Sequence, residues 1–124
     1  MAERSPHSEK KNFRLSAQAK DLAVDVINMT RKHIDNSARR IRDRIQDEAL
    51  DLMLCINRAN ESRDPPERQR QQEAAKAAAM NLSHLLGIAQ TLGYISLTSC
   101  NYLSSRALGL HGQIAAWIKS DKPH

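Results

Sequence analysis

Three observations predict an all-α fold with four helices in an up-down-up-down bundle. Apolar residues recur at alternating steps of three and four, and no strand-like alternation competes with them. The 124 residues include only four glycines and four prolines, while helix-favouring Ala, Leu, Arg, Gln and Lys are abundant. Aromatics are confined to Phe13, Tyr94, Tyr102 and Trp117, where a strand-rich chain would carry more. The length suits one domain, and 40% hydrophobic content is enough for a globular core.

Residues 1–14 are expected as a flexible basic arm, with Arg4, Lys10, Lys11 and Arg14 against Glu3 and Glu9. The first stripe then runs Leu15, Ala19, Leu22, Val26 and Met29, with Ser16 as a cap. HIDNS at 33–37 supplies a turn and the next cap. A second stripe follows through Ala38, Ile41, Ile45, Ala49 or Leu50, Leu52, Ile56 and Ala59, ending in SRDPPE at 62–67. Proline cannot continue a helix, but Pro66 can open the third at its first turn. That third stripe is Ala75, Ala78, Leu82, Leu85, Ala89 and Leu92, with Gly93 as a left-handed stop. From a cap at Ser96, the fourth places Cys100, Leu103, Ala107, Leu110, Ile114 and Trp117 on one face. The bundle is thus expected over 15–120, with 121–124 a short tail.

Charge is distributed unevenly. Nineteen Lys and Arg stand against fourteen Asp and Glu, for a formal +5, yet residues 77–118 contain a single charged side chain, Arg106. The third and fourth helices also carry apolar residues off their main stripes, more than a monomeric bundle needs. Ser104, Ser105, Gly109, Gly112, Ala115 and Ala116 would let a neighbour approach closely. Self-association is therefore expected, with Leu86, Leu103, Leu108 and Ile118 at the interface.

Enzyme signatures are missing: there is no glycine-rich phosphate loop, GxSxG elbow, HExxH or CxxC. His84 and His111 have no carboxylate between residues 74 and 120 to complete a metal site, so they read as polar tips. Asp43, Asp47, Glu48 and Asp51 sit beside arginines at ion-pair spacing, without matching acids on the later helices for a di-metal centre. No catalytic residue, metal or cofactor is expected. Cys55 and Cys100 lie among apolar residues as buried, reduced thiols. A membrane span and a signal peptide are both absent from the pattern, so a cytoplasmic protein with no membrane role is expected.

The positive signal is basic. Arg31, Lys32, Arg39, Arg40, Arg42 and Arg44 stand against Asp35 and Asp43 within 14 residues. Arginine's planar fork of donors matches phosphate oxygens, so these six are the candidate contacts to an RNA or DNA backbone. A solvated helical face is the plain alternative. With two or three of the four aromatics expected in the core, base stacking has little to work with. Binding should be electrostatic, salt-sensitive and weak in sequence preference.

The runs RIRDRIQDEALDLMLCINRANES, NLSHLLGIAQTLGYIS and QIAAWIKS, with a proline loop after the first, resemble a family of small four-helix bundles. These are the accessory variability determinants of diversity-generating retroelements, related to the proteins of 23S rRNA intervening sequences. The matching positions include Arg44, Ile45, Leu50, Asp51, Leu52 and Ala59; Leu85, Leu86, Ala89, Leu92, Ile95 and Ser96; Tyr102; and Ile114, Trp117, Ile118 and Lys119. The resemblance implies a pentameric ring with a positive surface, which binds nucleic acid and a reverse transcriptase and supports mutagenic complementary-DNA synthesis without catalysing it. Relatives often carry charges where this chain has Gly87, Gln90, Thr91 and Gly93, and a glycine pair in place of Ala115 and Ala116. Nucleic-acid contacts would then fall more heavily on the second helix and the arm. The competing expectation is a structural or interaction bundle with no nucleic-acid role.

Overall fold

The computed structural model describes residues 6–122, with side chains from Arg14 onward. Four helices, α1 (Pro6–His33), α2 (Arg39–Glu61), α3 (Pro65–Thr91) and α4 (Leu97–Asp121), make up the described chain, with no strand among the described residues. Short turns force successive helices to run antiparallel. Cross-links between them confirm the direction. Ser16, expected as a cap, lies within the first half of α1 and donates to Asn57 Oδ1 near the end of α2, and Gln46 donates to Thr30 Oγ1 at 2.9 Å where α1 ends and α2 begins. Arg68 and Gln72 at the start of α3 reach Asp121 at the end of α4.

The turn chemistry sets the boundaries. Asp35 accepts from the Ser37 amide and hydroxyl, capping one turn of 3-10 helix at Asn36–Ala38 that leads into α2. Pro65 and Pro66 open α3 in the positions where a missing amide costs nothing. Gly93, at φ +83, ends α3 in the left-handed region, and Ser96 caps α4 by accepting from the Ser99 amide. The first boundary departs from expectation. α1 begins at Pro6, so residues 6–14, expected as a flexible arm, belong to the helix. Proline suits a first helical turn and nothing between it and Leu15 breaks a helix; the apolar stripe marks where the core starts, not where the helix does. Residues 1–5 lie outside the described chain.

The expected stripes supply the core, with Met29, Ile41 and Leu85 partly buried against it and Leu92 left exposed. Leu22, Val26, Ile45, Leu52, Ile56, Leu82, Leu86 and Ile114 are fully buried. Trp117 is buried with them at 5% exposure, on the intrachain side. α3 lies between α2 and α4 and packs broadly on both, whereas α1 meets α4 only thinnly along its length. The small buried residues Ala75, Ala78, Ala79 and Ala89 allow those close approaches. Being covered on two sides, α3 buries a wide arc.

Burial on α3 and α4 corrects the expected interface. Leu86, Leu103 and Ile118 are inside the protomer, at 0%, 3% and 6% exposure, leaving Leu108 as the one exposed member of the four. Spacing alone does not separate a second intrachain face from an interchain one.

Candidate nucleic-acid interface

The end of the bundle where α1 passes into α2 gathers the basic cluster. α1 closes with Arg31, Lys32 and His33, which suit the partial negative charge of a helix C-terminus. α2 opens with Arg39 and Arg40 and no acid in its first turn, where cations add to the positive end of the helix dipole. Arg31, Lys32, Arg39, Arg40 and Arg44 are all exposed. Arg31 also donates to Asn28 Oδ1 at 2.9 Å, without leaving the surface.

Arg42 serves the turn instead. It donates to Asn36 Oδ1 at 3.0 Å and to the Ile34 carbonyl at 3.4 Å, and it pairs with Asp43 at 3.3 Å. Asp43 is thereby paired, while Asp35 keeps its charge and is held by Ser37. Asp35 is held below the usual carboxylate value by hydrogen bonds from the Ser37 hydroxyl and amide, with Arg42 adding a smaller charge effect. Arg44 pairs with Glu48 at 3.3 Å; Glu48 is buried, while the Arg44 side chain stays 65% exposed. Of the expected helix-two ion pairs, this one is therefore half-buried and not a fully solvated contact. α4 brings no acid to the same end in its first turn.

The remaining candidates are dispersed. His84 is exposed and His111 half-buried, and no group of three potential metal-ligating His, Cys, Asp or Glu residues occurs among the described residues. Cys55 and Cys100 are free and buried, and burial pushes the Cys55 thiol up. The arm residues Arg4, Lys10 and Lys11 lie outside the described side chains, and Arg14 is exposed. Among the described residues, no helix is long and apolar enough to cross a membrane.

Comparison with known proteins supports the fold. No family model and no curated protein matches the sequence. A crystal structure from Bacteroides thetaiotaomicron, of a protein of unknown function from the S23 ribosomal protein family, is similar with a TM-score of 0.81. The match covers 88% of this chain and 98% of that one at 13% identity. At that identity the likeness is one of architecture.

Two features escaped the sequence reading. Tyr94 and Tyr102 are exposed, so of the described aromatic side chains only Trp117 enters the core; Phe13 lies outside the described side chains. The second feature is Arg68, which stands 5.2 Å over the Trp117 ring, donates to the Ala59 carbonyl at 3.2 Å and pairs with Asp121 at 2.5 Å. It ties the ends of α2 and α4 to the start of α3. Residues so far apart in sequence give no local sign of meeting, whereas the tyrosines' places off the main stripes were such a sign.

Proposed function

We propose that this chain is a non-catalytic, nucleic-acid-binding accessory protein of a diversity-generating retroelement. It acts in the cytoplasm and associates with copies of itself, as a pentamer by resemblance, and with the element's reverse transcriptase in mutagenic complementary-DNA synthesis. The observation that carries the reading is the concentration of five exposed cations at one end of the bundle, against Asp35 and an Asp43 already paired with Arg42. Such a surface attracts a polyanion, and arginine forks suit its phosphates. Self-association has support in the exposed Ile88 and Leu108, which lie in the stretch 77–118 where Arg106 is the one charged side chain.

Retardation of RNA at low and moderate salt tests the reading. The wild-type chain is expected to shift RNA at low salt and to weaken steeply as salt rises. Replacing Arg31, Lys32, Arg39, Arg40 and Arg44 together by Gln should abolish the shift in a folded protein, and unchanged affinity would overturn the proposal. The same exposed apolar residues favour a second reading, a bundle that only docks protein. A monomer in sedimentation that ignores RNA at low salt would leave that reading standing.

A further inference from the structure

The turn between α3 and α4 is an apolar tip at the same end of the bundle as the basic cluster. Its backbone is closed by hydrogen bonds from the Gly93 amide to the Gln90 carbonyl at 3.0 Å and from the Tyr94 amide to the Ala89 carbonyl at 2.9 Å. Ile95 is buried and anchors it. The neighbours point the other way: Leu92 is 61% exposed, Leu97 59% and Tyr94 36%. Apolar side chains left largely exposed at a pinned turn form a patch, and such patches commonly mark a binding surface.

The antiparallel topology sets this tip beside the turn that carries Arg39 and Arg40. A duplex offers such a surface its phosphates and hides its bases, whereas an unpaired strand offers both phosphates and apolar base faces. Arginine outnumbers lysine in the adjoining cluster, and guanidinium both grips phosphate and stacks on bases. This favours a nucleic acid over a lipid surface. We infer that the bundle end selects single-stranded or unpaired nucleic acid, with Tyr94, Leu92 and Leu97 receiving base faces while the arginines hold the backbone. The inference rests on the proposed phosphate-binding role of the basic cluster.

Fluorescence anisotropy with an oligouridine strand and an RNA duplex of equal length tests it. Wild type should prefer the single strand on the order of tenfold. The combined Leu92→Ser, Tyr94→Ser and Leu97→Ser variant should lose that preference and keep its duplex affinity. Tyr94→Ala alone, confirmed as folded by circular dichroism, should lose part of it. Equal affinity of wild type for strand and duplex overturns the inference, as does a preference that survives in a folded tip variant. Tip-dependent binding to phosphatidylserine vesicles without any strand preference would overturn it in favour of a lipid surface. These outcomes leave the phosphate-binding reading intact; failure to bind either RNA at low salt overturns that reading, and the inference with it.

Discussion

At the end of the bundle where α2 turns into α3, Arg68 is drawn into the protein, while Arg63 and Arg70 stay at the surface. Arg68 pairs with Asp121, stacks on Trp117 and caps α2, while Arg70 and Gln71 converge on Glu67. At the opposite end, Arg31, Lys32, Arg39 and Arg40 point to solvent and only Arg42 is drawn into the turn. The same residue type is structural in Arg68 and displayed in Arg39 and Arg40. The difference lies in where acids and carbonyls are within reach, and that is why a charge cluster read from sequence needs its partners placed before it says anything about function.

The contrast can be broken at four points, beginning with the largest effect. Trp117→Ala removes the buried ring of the self-paired end and should cost about 3–5 kcal/mol. Urea unfolding should show a lower midpoint, and RNA affinity of the folded fraction should hold. Next, the five-cation Gln variant should lose on the order of a hundredfold or more in RNA affinity at low salt, with a shallower salt slope. Its thermal midpoint should fall only by what the buried Glu48 loses with Arg44, since the other four exposed charges contribute little to stability. A comparable loss of stability would mean that the two ends do not divide their roles in this way.

Arg68→Ala comes third, at about 2 kcal/mol, because it leaves the Ala59 carbonyl and Asp121 without their guanidinium partner. It should leave RNA binding unchanged in retardation assays. The smallest effect concerns Asp35. Its carboxyl is held low by Ser37, so the charged form is favoured by folding. That stabilisation is present above the ordinary carboxylate value of about 3.9 and is lost as pH falls through the lower folded-state value. Asp35→Asn keeps a capping oxygen without the titration. Its thermal midpoint should therefore fall less than that of wild type as the pH is lowered through this window.

The helices were legible because burial repeats with the helical period, and Ser96 and Gly93 punctuate them as local rules require. The start of α1 was not, since polar residues before Leu15 continue a helix without marking it. The same periodicity misassigned Leu86, Leu103 and Ile118 to an interface. It tells which side of a helix is apolar, and leaves open how many neighbours cover that side. Of the basic site, the cluster was visible as composition, while Arg42's withdrawal depended on Asn36 and the Ile34 carbonyl folding back toward it. The apolar tip was hidden because Leu92 continues the third stripe in register and is lifted out only where α3 ends.

The narrow contact between α1 and α4 bears on how the molecule opens. Their union includes the Arg106–Asp25 pair at 2.7 Å, with both side chains partly in water, whereas α3 is gripped on both flanks. Segments with few buried contacts exchange their amides through low-energy local openings. Amide protons of α1, which is held on one flank by α2 and only thinly by α4, should therefore exchange before those of α3, as a unit that leaves both neighbours while the rest stays folded. Such peeling would carry Arg31 and Lys32 away from Arg39 and Arg40, so a polyanion spanning all four should slow exchange throughout α1, far beyond the residues it touches.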